Sequence, residues 1–104
     1  MPSLDLVMRR WGTHRCIYCD GAPESVDHIF PRRLAKRKRR PHWMAHINDP
    51  ANLAPCCTAC NQAKGGMDVR TFLADDPARL RRIFQAMARL NPGAAELVGG
   101  WVNA

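Results

Sequence analysis

The chain has 104 residues, a mass of 11.7 kDa and 16 Lys+Arg against 9 Asp+Glu, which gives a formal net charge of +7 and a pI near 9.8. This is the length of one domain, with enough chain for a small core and little margin, so a metal staple would help it fold. A hydrophobic content of 46% suits a globular protein, whereas 8 Pro and 7 Gly divide the chain into short elements and argue against a large sandwich or a Rossmann-type enzyme. No apolar run approaches the roughly 18 residues that span a bilayer, and MPSLDLVMRRWG has no apolar segment with a small-residue cleavage site. A cytoplasmic location, away from membranes, is the expectation.

In chain order, Ser3 can cap a short helix over residues 3–10 with Leu4, Val7 and Met8 on one face. Residues 12–23 read as a cysteine knuckle and turn. SVDHIF, residues 25–30, is rich in β-branched and aromatic side chains and reads as a short strand ending at Pro31. A basic segment follows that can be helical up to Pro41; residues 42–50 form a loop and 52–56 a second strand. Thr58 can cap a helix over 59–64 that Gly65 and Gly66 end. Asp68 starts another helix. Asp76 with Pro77 in the first turn opens the longest one, to about Leu90, along which Leu80, Ile83, Phe84, Met87 and Leu90 make a helical stripe. Asn91 and Pro92 can start a last helix through Val98. The pattern is that of a single α+β domain over residues 1–104, without internal repeats.

The five cysteines leave one over from any all-disulfide scheme. In a reducing compartment, close pairs more often bind metal. Cys16 with Cys19 and Cys57 with Cys60 are two CxxC pairs, and a two-residue spacer turns the chain so that both thiolates reach one tetrahedral zinc. A redox CxxC leaves the second pair unexplained, and buried apolar cysteines leave the pairing unexplained. Cys56 could replace Cys57, although the spacing favours Cys57. A site built from Cys16, Cys19, His42 and His46 is the alternative, with finger-like H-x₃-H spacing but a long spacer.

Seven basic residues, Arg32, Arg33, Lys36, Arg37, Lys38, Arg39 and Arg40, fall in RRLAKRKRR with no acid between them. Such a run repels itself and attracts polyphosphate through counterion release, which points to nucleic acid; a solvated helix face is the bland reading. His14 reads as a surface or phosphate-facing residue. Trp11, Trp43 and Trp101 read as packing residues, with Trp43, just after the basic run, the best candidate for base stacking.

Asp27 and His28 end the first strand, Asn52 begins the second, and Asn61 and Lys64 share a helix with Cys57 and Cys60. Positions 57, 60, 61 and 64 fall on one side of that helix. A carboxylate, an imidazole, an amide and an ammonium can thus converge on one cleft.

DHIFPRR followed by NLAPCCTACNQAK, with CIYC upstream, resembles the HNH endonuclease pattern of the His-Me finger, or ββα-metal, nucleases, in the version that carries a four-cysteine zinc site. The resemblance covers about residues 16–66, with C-terminal helices over about 68–98 outside it. It implies a small ββα-metal core stapled by structural Zn²⁺ and flanked by helices. It also implies that Asp27 and Asn61 bind a catalytic divalent metal, that His28 is the general base, and that Asn52 holds the loop carrying that base. Two departures stand out. The last motif residue is Asn rather than His, and the basic stretch replaces the usual Gly pair after DHI-x-P. A carboxylate and an amide oxygen form a hard ligand set suited to Mg²⁺ or Mn²⁺. Lys64 or an arginine of the basic run could add positive charge at the phosphate.

The expected activity is therefore metal-dependent hydrolysis of phosphodiesters in DNA, double-stranded in the first instance, leaving 5′-phosphate and 3′-hydroxyl ends. A small basic nuclease of this kind could serve in phage DNA processing, in restriction or in a mobile element, with a phage packaging or other protein partner. The alternative is a noncatalytic, zinc-stapled nucleic-acid-binding module, which would not need Asp27, His28 and Asn61 together.

Overall fold

The computed structural model describes residues 2–33 and 47–91. The elements are α1 (Leu4–Trp11), β1 (Ser25–His28), a 3₁₀ turn (Pro50–Asn52), β2 (Leu53–Cys56), α2 (Thr58–Lys64), α3 (Val69–Phe72) and α4 (Pro77–Leu90). This is a small α+β arrangement. Its two strands run antiparallel, with Asp27 opposite Ala54 and His28 opposite Leu53.

Local chemistry explains most of the boundaries. Ser3 Oγ accepts from the Leu6 N–H and caps α1, and Gly12, at φ 64°, closes it in the left-handed conformation that glycine adopts without a Cβ penalty. Asp68 and Asp76 cap α3 and α4 in the same way as Ser3, and Pro77 occupies the first turn of α4, where its missing N–H costs nothing. The cap of α2 differs from expectation. Cys57, rather than Thr58, fills that position, because its sulfur accepts from the Cys60 N–H while the Thr58 N–H turns to Glu24.

Both strands are shorter than their sequence patterns. The ladder ends after His28 because Asn52, next in register opposite Ile29, gives its own N–H to the Asp49 carbonyl, and the Phe30 N–H goes to the Asn52 side chain. Asn52 itself lies in the 3₁₀ turn ahead of β2. The proposed helix of the basic run, the loop residues 42–46 and the last helix from Pro92 fall outside the described residues.

The core collects Val7 and Trp11 of α1, Ile17 and Tyr18 of the knuckle, Ile29 and Phe30 after β1, Val69 of α3, and Ile83, Ala86 and Met87 of α4. The expected α4 stripe therefore does the packing: Ile83 and Met87 are buried, and Leu80, Phe84 and Leu90 lie half-buried against them. Phe84 stacks on Phe30, and Tyr18 meets Phe72 edge-on. Trp11 packs as expected, its indole N–H donating to the Leu53 carbonyl at 2.7 Å. Arg79 fastens α4 to the knuckle by donating to the Ile17 carbonyl and pairing with Asp20 at 2.8 Å. No helix among the described residues is long and apolar enough to cross a membrane.

Candidate functional site

Two constellations share α2. At its N-terminus, the sulfurs of Cys16, Cys19, Cys57 and Cys60 all lie within 4.8 Å of one another, with Cys19 and Cys57 at 3.6 Å. Four thiolates about 2.3 Å from a tetrahedral zinc stand roughly 3.8 Å apart, so the set can hold a metal ion such as zinc. Backbone N–H groups already point at three of the sulfurs: Tyr18 at Cys16, Gly21 at Cys19 and Cys60 at Cys57. Such bonds orient ligands and favour thiolate. The Cys60 N–H holds the Cys57 thiol down at about 7, whereas burial raises Cys60.

Cys56 stays outside the cluster. Its thiol is buried and donates to the Cys57 carbonyl, and burial raises it far above an ordinary thiol. Cys57 is thus the member of the pair that joins the four. His42 and His46, the alternative ligands, are outside the described residues.

On the strand side of α2, Asp27, His28 and Asn61 line one open cleft of about 330 Å³, with Arg32, Arg33 and the Gly65–Gly66 turn at its margin. Asp27 is almost buried, and one of its oxygens is committed. Oδ2 accepts from the Tyr18 hydroxyl at 2.6 Å and pairs with the Lys64 ammonium at 3.1 Å. Oδ1 forms no hydrogen bond or ion pair among the described residues. Burial first, and the adjacent Asp27 carboxylate second, push the Tyr18 phenol well above its ordinary value, so it stays a donor.

His28 is fixed from its far nitrogen. The Nε2–H donates to Asn48 Oδ1 at 2.8 Å, which leaves Nδ1 as the unprotonated nitrogen of the neutral ring. Asn52 is fully buried; its side chain accepts from the Phe30 N–H at 2.8 Å and donates to the carbonyls of Phe30 at 3.1 Å and Ile47 at 2.7 Å. It therefore ties the chain leaving β1 to the chain entering β2, directly beyond His28. Asn61 Nδ2 donates to Ser25 Oγ at 3.2 Å, so its amide is oriented by β1.

Lys64 does not face the cleft as expected. Its side chain is fully buried, donating to the His28 carbonyl at 2.9 Å and pairing with Asp27. The i, i+3, i+4, i+7 placement holds, but the last position turns inward under β1. Its charge acts on Asp27 rather than on a ligand in solution. Arg33 donates to the Gly66 carbonyl and so is held to the turn after α2, while Arg32 lines both this cleft and a neighbouring one behind His28. Lys36, Arg37, Lys38, Arg39 and Arg40 lie outside the described residues, as do Trp43 and Trp101. His14 is exposed.

Tyr18 and Asn48 are the site residues that sequence reasoning missed. A tyrosine between two metal-spaced cysteines is a weak cue, since a buried phenol needs a partner. Asn48 carries no cue beyond a turn-forming Asn-Asp-Pro.

The buried Asp27–Lys64 pair makes a stability prediction. Lys64→Met should cost about 3–5 kcal/mol, because it leaves a carboxylate buried without its counter-charge. Combining it with Asp27→Asn should recover most of that loss. Urea unfolding of the metal-loaded proteins checks both.

No family model, curated protein or solved structure matches the chain.

Proposed function

We propose that this protein is a metal-dependent DNA endonuclease of the HNH, or ββα-metal, kind, with β1, β2 and α2 as its catalytic core and a structural zinc in the cysteine cluster. The observation that carries the reading is the shared cleft: Asp27, His28 and Asn61 line it together, and two arginines border it. In this reading Asp27 through Oδ1 and Asn61 through its amide oxygen hold a divalent cation. Their hard oxygens suit Mg²⁺ or Mn²⁺. When bound, the cation supplies Lewis-acid stabilisation of the charge that develops on the phosphate and the leaving oxygen.

The chain's own part in the reaction follows from its hydrogen bonds. Asn48 holds His28 in the Nε2–H tautomer, so Nδ1 takes the proton from the attacking water. Tyr18 and Lys64 hold Asp27 by its other oxygen. Asn52 keeps the two ends of the β1–β2 connection together beneath the base. Arg32, which lines the cleft, contacts the backbone phosphate there, and the positive charge of the basic run that follows it in sequence adds counterion-release affinity for DNA.

The second reading, a noncatalytic binder, has one observation in its favour: Lys64 already neutralises Asp27 without a metal. Nicking of supercoiled plasmid separates the two readings. Zinc-loaded protein should convert the plasmid to open circles with Mg²⁺ or Mn²⁺ and leave it intact without them. Absence of nicking with either ion, by protein that binds the plasmid, would leave the binding module.

A further inference from the structure

A second groove, of about 300 Å³, runs between the cysteine knuckle and α4 and shares no lining residue with the Asp27–His28–Asn61 cleft. Arg15 stands on its knuckle wall, and Arg79, Arg82 and Arg89 stand on its helix wall. The lone carboxylate among its described lining residues, Asp20, is already paired with Arg79. Arg15, Arg82 and Arg89 are exposed, and their guanidinium groups form no hydrogen bond or ion pair among the described residues.

The chemistry of the lining selects the ligand. Ile17, Ile83 and Ala86 in the lining are at most 9% exposed and belong to the core, and the Trp11 indole N–H is committed to Leu53. The exposed large hydrophobics among the described residues, Leu6 and Met67, lie outside this groove. A protein partner commonly adds an apolar or aromatic anchor, for which these buried side chains leave little surface. A phosphodiester strand needs only guanidinium donors. Arg82 and Arg89 are two helical turns apart, about 10.5 Å along the axis, which is about the axial rise of three phosphates on one strand of duplex DNA.

We propose that this groove is a second DNA contact, outside the catalytic cleft, in which Arg15, Arg82 and Arg89 each neutralise one backbone phosphate of the duplex. The proposal rests on DNA being the ligand of this protein and does not depend on cleavage. It makes the knuckle and α4 the two walls of one phosphate-binding groove, whose spacing Arg79 fixes by pairing with Asp20.

The test is the salt dependence of binding of a fluorescent 30-base-pair duplex to the zinc-loaded full chain, without added Mg²⁺ or Mn²⁺. Substituting Arg15→Gln, Arg82→Gln and Arg89→Gln together should reduce the slope of log K against log salt by about 2.7, at about 0.9 per phosphate. Between 50 and 200 mM salt, the unsubstituted protein should then lose about 40-fold more affinity than the triple variant. Arg81→Gln, an exposed position on the same helix outside the groove, should change the slope by much less than any groove arginine. An unchanged slope in the triple variant overturns the proposal and leaves the groove to an acidic protein. An equal effect of Arg81→Gln also overturns it, since net charge alone would then explain the loss. No binding by the unsubstituted chain overturns both this proposal and the nuclease reading. A reduced slope together with an inactive plasmid assay keeps the groove and removes only the catalytic reading.

Discussion

His28→Ala is expected to lower plasmid cleavage by about 10²- to 10⁴-fold, the usual contribution of a positioned general base, while DNA binding changes little and the protein stays folded. The ring is nearly buried, so its truncation costs some packing, but no unpaired polar group is left behind. Its hydrogen-bond partner, Asn48, is exposed, so truncation returns that amide to water instead of burying it unpaired. Asn48→Ala should give a smaller loss of the same kind, because the imidazole remains but its tautomer is no longer held. Single-turnover rates at saturating DNA and Mg²⁺ measure both. A His28→Ala rate within twofold of the unsubstituted protein would remove His28 from the mechanism. For the proposed divalent-metal site, Asn61→Ala is a cleaner probe than any change at Asp27. Asn61 is half-buried and, among the described residues, bonded through its side chain to Ser25 alone, whereas Asp27 also neutralises a buried lysine.

Loss of a cysteine ligand should cost the fold before it costs chemistry. Cys57→Ser or Cys19→Ser is expected to abolish stoichiometric zinc binding and cooperative thermal unfolding, because binding at a structural zinc site is folding free energy. The apparent worth of such a site, about 10–16 kcal/mol, matches or exceeds the whole stability of a typical domain. The consequence spreads through two elements. Cys57 also caps α2, and the knuckle between Cys16 and Cys19 carries Ile17 and Tyr18 into the core. Cys56→Ser should be mild by comparison, since a hydroxyl can replace the thiol in donating to the Cys57 carbonyl. Metal content per chain, read beside far-ultraviolet circular dichroism, decides the matter. Zinc retained by Cys57→Ser and lost by Cys56→Ser would reverse the ligand assignment. Acidification should release the metal, because protons compete for the thiolates; with Cys57 near 7 and Cys60 raised, the metal-free cluster takes up protons readily.

Much of this architecture is written in short-range pattern. The caps at Ser3, Asp68 and Asp76, the stripe along α4 and the two CxxC pairs act over a turn or two of chain. Their outcome therefore depends little on what packs against them. The helical spacing of Cys57, Cys60, Asn61 and Lys64 is of the same kind; it places the cysteines and Asn61 along one helix, whereas Lys64, the last of the four, turns inward. Strand ends were less legible. Ladder hydrogen bonds yield wherever a competing partner comes within reach, as the Asp49 carbonyl does for the Asn52 N–H and the Asn52 side chain for the Phe30 N–H.

What only the tertiary structure decided is the fate of charges and hydrogen bonds between distant segments. Tyr18 to Asp27, Asn48 to His28 and Lys64 to the His28 carbonyl cross 9, 20 and 36 residues. No periodicity encodes which of them meet. Lys64 shows the reason most directly: helical spacing set its side of α2, but whether that side met solvent or β1 was decided by the packing of the sheet onto the helix, which buried the ammonium and gave it Asp27 as a counter-charge. The same holds for the arginines of α4. Composition made the chain basic, yet it took the docking of α4 on the knuckle, through Arg79, Asp20 and the Ile17 carbonyl 62 residues away, to line a groove with Arg15, Arg82 and Arg89. By itself, the sequence determined the residue types available for metal and phosphate and the local turns that present them. The close packing of elements far apart in the chain determined which of those residues share a cleft, which are buried as counter-ions, and which remain free to bind.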